Sequence, residues 1–344
     1  MPITTLDGII AGNLPPEEFL KIGAGTQVIG RPLSLAYAPG QPGAMAAATG
    51  GMQGLGLLTK PGQFTFVNPT GGWFSYLSRL SAECINAGTL LLCDRLWENS
   101  GNSATLTTAQ NHFLAITGNT AANPTVVTTA AHGQAAGTFT VFIRNSNSTP
   151  AINGTWTATW ISATTFSVPV NVTGAGTAGE VMIAIPPRDR RGTPVGTTGA
   201  PPGYGEGVQI AYEVSTVMGA GAPTLTAEYV DSTGVLKTTP VITLAATMIV
   251  GSWIVLPLAA GDVGVRALRS HIKNATQTSG VYHMVMFRTI ARIGLPQPGV
   301  GFTQDAITAG FPRLYDNSVP FLVWVPNSTV APTALSGNLV IAQG

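Results

Sequence analysis

Apolar and polar side chains alternate along several short stretches of this chain, and a period of two is what a β-strand with one buried face demands. Val208-Gln209-Ile210-Ala211-Tyr212-Glu213-Val214 is one such stretch, and residues 264–272 and 281–290 repeat the pattern. Residues 225–230 and 235–237 flank Asp231-Ser232-Thr233-Gly234, which reads as a hairpin with Asp231 and Gly234 supplying the turn. Glycine and proline, 42 and 25 of the 344 residues, punctuate the rest, and helix signals are scarce. The expected fold class is all-β.

Charge narrows the reading further. Only 9% of the chain is Asp, Glu, Lys or Arg, against about 25% in an ordinary soluble domain. High hydrophobicity with low charge opposes disorder, so the chain folds and much of its surface is neutral. A monomer so thinly charged is poorly protected from self-association, and burial of neutral faces against neighbouring subunits resolves this. A monomer covered by Thr, Ser and Asn is the plainer alternative. The formal net charge of +1 implies no general attraction to nucleic acid or acidic membrane. The first residues lack a basic segment followed by an apolar one, so no secretory signal is expected.

Between Lys237 and Asp262 lie 24 uncharged residues, long enough for a membrane span. Gly251-Ser252 near the centre, Pro257, many β-branched residues and the lack of basic flanks favour two strands joined by a short turn, with no membrane partner. Cys84 and Cys93 have no C-x-x-C spacing and no nearby histidine. Buried free thiols are expected, a single disulfide being the alternative.

The chain divides into four parts. Residues 1–62 read as an extended Gly/Pro-rich N-terminal arm, flexible or laid across a neighbouring subunit, with one short helix opened by Leu14-Pro15-Pro16-Glu17-Glu18-Phe19-Leu20. Residues 63–115 and 185–294 read as a discontinuous main β-sandwich, its first strand at 63–67. Residues 116–184 carry four short strands with turn residues between and after them, the pattern of a small inserted β-sandwich or barrel. Residues 295–344, with one strong strand at 319–325, read as a C-terminal arm or closing strand.

No nucleophile elbow is present, and His112, His132, His271 and His283 lack metal-binding or catalytic spacing. His132 reads as a turn residue and His283 as a hydrogen-bonded sheet histidine. The glycines from Gly23 to Gly30 lack the lysine of a phosphate loop. Candidate carboxylates for glycan hydrolysis are Glu98, Glu180, Asp189, Glu206, Glu213 and Glu228, of which Glu213 and Glu228 are placed facing solvent on neighbouring strands. No β-helix period accompanies them. No enzyme, cofactor or metal is expected. The cluster Arg188-Asp189-Arg190-Arg191 suits an inter-subunit salt-bridge site or a solvated loop. On a regular strand Arg266 faces away from Arg269 and Lys273, so no nucleic-acid stripe follows. Trp156, Trp160 and Tyr204 are candidates for stacking on a glycan.

VVTTAAHG (126–133), NGTW (153–156) and ATTFSV (163–168) resemble a small Ig-like β module that recurs as an insertion in tailed-phage structural proteins. LLLCDRLWENSG (90–101), the segments 204–234 and 258–271, and FPRLYDNSVPFLVWVP (311–326) resemble a phage virion family. The likeness spans residues 60–344, and the Gly-rich N-terminal segment has no counterpart in it. It implies a jelly-roll-like β-sandwich with the Ig-like module spliced into a loop. It also implies a virion structural protein made in the bacterial host's cytoplasm, a head decoration or cement protein in the first instance. A tail, collar or fibre component, or a glycan-binding adhesion module, are the alternatives. The implied partners are further copies of the chain, as a trimer, and the major capsid protein or neighbouring virion proteins.

Overall fold

The computed structural model describes residues 5–23, 27–46, 55–56, 61–99, 101–183, 205–316, 318–328 and 334–344. Its principal strands are β1 (Glu17–Ile22), β2 (Ser75–Cys84), β3 (Gly88–Glu98), β4 (Leu114–Asn119), β5 (Thr125–Thr129), β6 (Thr138–Arg144), β7 (Gly154–Ser162) and β8 (Thr165–Val168). They continue with β9 (Glu180–Ile183), β10 (Val208–Thr216), β11 (Thr224–Asp231), β12 (Val265–Lys273), β13 (Val281–Leu295), β14 (Pro320–Pro326) and β15 (Ala334–Gln343).

A central antiparallel sheet runs in the order Trp253–Leu256, β10, β13, β3, β14, Leu33–Ser34. Its two edges meet. Leu33 bridges Ser252, the Ser34 amide donates to the Gly251 carbonyl at 2.7 Å, and the Trp253 amide donates to the Pro32 carbonyl at 3.0 Å. The sheet therefore curls into a closed ring. Alternation then sorts the side chains. Cys93, Ala211, Trp253, Val285, Phe287, Phe321 and Val323 share one small core inside the ring.

The opposite face of the same strands serves two further layers. Ile210, Tyr212, Val214, Met284 and Met286 pack with Leu225, Tyr229 and Leu268 of a five-stranded sheet, whose main path is Leu236–Thr238, β11, β12, Gln110–Asn111. Leu90, Leu92, Ile290, Ile293 and Trp324 pack with Phe19, Leu77, Leu80 and Leu339 of a six-stranded sheet ordered Phe302–Asp305, β2, β15, β1, Gly40–Gln41. β13 is 15 residues long and contributes to both layers. The fold is all-β, with sheets packed face to face. Between Gln110–Asn111 and β10 the chain forms a closed barrel, β5-β8-β7-β6-β9-β4, with its own core of Ile116, Val127, Val141, Ile143, Phe166 and Val181.

The expected hairpin forms, with Tyr229 opposite Lys237 and the Asp231 carboxylate accepting from the Thr233 and Val235 amides at 2.8 Å. Other expectations are corrected. The helix expected at 14–20 is strand β1, paired over six residues with β15. The helix that forms ahead of it is α1 (Leu6–Ala11), capped by Thr5, whose hydroxyl accepts from the Gly8 amide at 3.0 Å. Nor is the first 62-residue stretch an arm throughout, since Phe19, Leu33, Leu35, Ala36, Ala38 and Met45 are buried core residues. At the other end, β14 lies between β3 and Leu33–Ser34, and β15 between β2 and β1, so both strands are internal to sheets. Residues 63–67 alternate, with Phe64 buried and Phe66 packed on the same core, but they join no ladder. The apolar segment before Asp262 crosses between layers. Ile242–Thr243 pairs with β11, Trp253–Leu256 pairs with β10, and Gly251 turns the chain at φ +83° where a Cβ would lie 2.6 Å from the Ser34 carbonyl oxygen. Among the described residues no helix is long and apolar enough to cross a membrane.

Candidate functional site

Asp94 and Arg95 are neighbours on β3 and send opposite charges to opposite sides of the central sheet. Inside the ring, Arg95 Nη1 donates to Glu98 Oε2 and Nη2 donates to Glu213 Oε1, both at 2.6 Å. The guanidinium lies 4.8 Å from the Phe321 ring centroid and 5.8 Å from that of Trp253. Burial works against its charge, but Glu213 and Glu98 outweigh burial and raise its pKa. Beside it, the Asn99 carbonyl lies 2.7 Å from His283 Nδ1. A carbonyl only accepts, so Nδ1 carries the proton and Nε2 accepts from the Tyr37 hydroxyl at 2.8 Å. Burial pushes the His283 pKa down and the Tyr37 pKa up.

On the other side, Asp94 Oδ2 accepts from Arg288 Nε at 3.2 Å and from the Ser318 hydroxyl at 3.1 Å, while Oδ1 accepts from the Val319 amide at 2.8 Å. Arg288 lies over Tyr315, and Arg313 lies over Phe74 at 3.7 Å. These groups tie β3, β10, β13 and the start of β14 together through charge-assisted bonds.

A third cluster sits between the central and five-stranded sheets. His112 Nε2 and His271 Nδ1 are 3.0 Å apart with their rings stacked, and His271 Nε2 is 2.9 Å from the Tyr282 hydroxyl. Lys273 lies 4.9 Å from the Tyr282 ring centroid. Burial holds the His112 pKa down at about 3, and burial, with His112 and Lys273 nearby, holds His271 well below its ordinary value. Each imidazole is thus neutral, one ring nitrogen donating and the other accepting. Among the described residues no three His, Cys, Asp or Glu side chains gather as metal ligands.

The barrel meets the body through Glu180 at the start of β9. Its carboxylate takes Arg144 Nε at 3.3 Å and Arg269 Nε at 3.0 Å, and Arg269 Nη1 reaches Glu228 Oε2 at 2.6 Å. Phe113, Phe142 and Met182 complete that contact as part of the neighbouring apolar core.

Several sequence-derived candidates land elsewhere than expected. Glu213 is fully buried against Arg95 and Glu228 is on another sheet, so the two do not form an exposed pair. Arg269 is the extra residue of a bulge, where Glu228 opposes Ser270 and Tyr229 opposes Leu268. Lys273 consequently lies inside while Arg269 turns toward the barrel. Trp156 is half-buried on the barrel core and its indole donates to the Ile152 carbonyl at 2.8 Å. Trp160 lies two positions beyond the buried Ala158 on the same face of β7, with its indole nitrogen enclosed. The Trp156 ring is thus taken up by the barrel core, whereas glycan stacking requires an open ring face. Arg188, Asp189, Arg190, Arg191 and Tyr204 lie outside the described residues. His132 is buried in the barrel between Phe139 and Phe166, and its Nδ1 accepts from the Gln134 amide at 3.3 Å.

The buried ion clusters escaped the sequence reading. Asp94-Arg95 interrupting an apolar run was a usable signal for one. The histidine pair, 159 positions apart, had none.

No family model matches the chain, and no curated protein does. Among solved structures, infectious bursal disease virus of the Gt strain is 10% identical over 96% of this chain and 82% of that one, with a TM-score of 0.12. The Gx strain gives the same identity and coverage with a TM-score of 0.16. A VP2 subviral particle of that virus is 9% identical over 96% and 81%, with a TM-score of 0.15. Superpositions this loose leave the chain's role to be read from its own residues.

Proposed function

We propose that this protein is a non-catalytic structural subunit that assembles with copies of itself on a virus particle. A head decoration or cement protein of a tailed phage is the particular role that fits. The observation that carries the reading is where the charges sit. Of 16 basic and 15 acidic side chains, Lys21, Asp94, Arg95, Glu98, Glu213, Asp231, Lys273 and Arg288 are buried. A chain already poor in charge therefore keeps at least a quarter of it inside, counted on the described residues alone, and its surface is more neutral than composition alone implies. Apolar side chains such as Ile29, Val67, Val263 and Ile307 are at least 60% exposed on that surface. Neutral, partly apolar faces on a rigid sheet stack are suited to burial against neighbouring subunits.

The six-stranded sheet ends in the short strands Phe302–Asp305 and Gly40–Gln41, whose outer edges pair with no further strand among the described residues and so suit strand addition from a neighbour. Closed symmetry, a trimer on a local threefold axis, would satisfy such edges without charge. Sedimentation velocity of the purified protein, followed by co-sedimentation with shells of the parent particle lacking it, tests this. An oligomer that persists on dilution and coats shells is expected. A monomer that ignores shells refutes the assembly role, and attachment to tails alone moves the protein to the tail or collar.

A further inference from the structure

The seam where the central sheet closes on itself carries a cavity of about 170 Å³. Gln27, Arg31, Leu33, Thr247, Ile249 and Ser252 line it. Two of these residues hold buried polar atoms with no hydrogen-bond partner among the described residues, Gln27 Nε2 and Ser252 Oγ. Gln27 is 2% exposed and Ser252 is fully buried. The orientation of the Gln27 amide is set by chemistry, because Trp324 Nε1 lies 3.1 Å from Oε1 and an indole nitrogen only donates. The free end of Gln27 is therefore its N–H₂ group, a pure donor. Ser252 uses its amide toward the Ile249 carbonyl and its carbonyl toward the Val214 amide, both at 3.0 Å, so its hydroxyl is the group left over. Arg31, half-exposed at the same cavity, makes no ion pair among the described residues.

A buried donor left unmade costs about 1–3 kcal/mol, so two in one small cavity call for an acceptor there. We propose that this cavity is a binding site for a carboxylate on a short apolar stem. The lining brings together three donor-bearing side chains, one of them with a full positive charge, and no acidic one among the described residues. That set matches a singly charged, acceptor-only head group. Leu33 and Ile249 suit a methylene stem, and the volume admits a group the size of an amino-acid side chain. A shallower groove of about 500 Å³ along Val28, Ile29, Trp253 and Val255 shares Arg31 and Pro32 with the cavity, giving room for whatever carries the carboxylate. The carboxylate is either a free small acid or an acidic side chain of a neighbouring subunit, and both present the same chemistry.

The test is a titration of the full-length ¹⁵N-labelled protein with propionate at constant ionic strength, with propionamide as the neutral isostere. Propionate is expected to shift the Gln27 side-chain amide resonances saturably while propionamide does not. Arg31→Gln, on a half-exposed side chain, is expected to weaken propionate about tenfold, equivalent to about 1.4 kcal/mol, and Ser252→Ala gives a second, smaller loss. Equal responses to the two probes, or none to either, overturn the site. Sedimentation velocity in propionate separates the sources: an oligomer that dissociates takes its carboxylate from a neighbouring copy, and one that persists while propionate saturates binds a free acid. The site rests on its own geometry. A monomer that binds propionate would end the assembly role and keep this site.

Discussion

Arg95 and Glu213 meet at 2.6 Å inside the central sheet with side chains 1% and 0% exposed. They stand on β3 and β10, which are not neighbours, and the contact spans the intervening β13. Removing the cation alone leaves two buried carboxylates facing each other, the case in which breaking a buried pair costs about 3–5 kcal/mol. Arg95→Met is expected to lose that much in urea unfolding followed by tryptophan fluorescence. The triple variant Arg95→Met, Glu98→Leu, Glu213→Leu is expected to regain most of it, because no charge is then left uncompensated. A loss below about 1 kcal/mol for the single variant would mean the cluster is not closed to water.

The histidines give a pH dependence of fixed sign. His112, His271 and His283 have folded-state pKa values lowered by burial, with His112 at about 3. The unfolded chain takes up protons at each near pH 6.5 while the folded chain does not. Stability is therefore full above that pH and falls as pH drops below it, by up to about 1.4 kcal/mol per unit for each histidine still neutral in the fold. Urea midpoints at pH 7.5 and pH 5 should differ clearly for the wild type and much less for His112→Gln/His271→Gln. Parallel behaviour of the two proteins would remove the histidines as the cause.

How much of this was legible in the sequence depends on the range of the interaction. Strands β10 and β13 and the Asp231 hairpin follow from local alternation and turn chemistry, and both were readable. β1 was misread because Pro15-Pro16-Glu17-Glu18 imitates a helix start. Its true pattern buries Phe19 and Lys21 and exposes Leu20 and Ile22, which inverts the usual sorting at three positions, Leu20, Lys21 and Ile22. β14 and β15 look terminal in the chain, yet their places inside sheets come from partners more than 200 residues away, such as Leu92 opposite Leu322 and Leu80 opposite Leu339. Long separation in the chain, 159 positions for the histidine pair, also hid that pair and the edge-to-edge closure at Leu33 and Ser252. A bulge at Arg269 defeats strict period-two reading of β12.

The cysteines give a simpler expectation. Cys84 and Cys93 are both free and buried, in two different cores, and burial pushes the Cys93 thiol up to about 12. At pH 8 Cys93 is a thiol without access to solvent, and such groups react slowly with disulfide reagents. Native protein should release little chromophore from an aromatic disulfide, and denatured protein two equivalents. Rapid native labelling would show that the central sheet opens.

The barrel is closed off by a clasp around Gly176. Its amide donates to Asn119 Oδ1 at 3.0 Å, and the next two amides, of Thr177 and Ala178, donate to Asn147 Oδ1 at 2.9 Å. A Cβ on residue 176 would lie 2.6 Å from both carboxamide oxygens and 2.8 Å from the Ser148 amide, so the clasp has no room for alanine. Gly176→Ala is expected to cost about 1–3 kcal/mol, the range for overpacking a filled site. Gly294→Ala, where nothing lies within 4 Å, is the matched control and should cost far less. The barrel has its own core, so the loss should be local. Amide exchange in β4, β5 and β9 is expected to quicken while β3, β10 and β13 stay protected. Glu180 lies four positions beyond the clasp and carries the ion pairs to Arg144 and Arg269, so loosening at Gly176 should also weaken the barrel's hold on the five-stranded sheet. Faster exchange at the Arg269 amide in Gly176→Ala, with unchanged exchange at the Arg95 amide, is the specific result that follows; uniform acceleration across both would mean that barrel and body unfold as one unit.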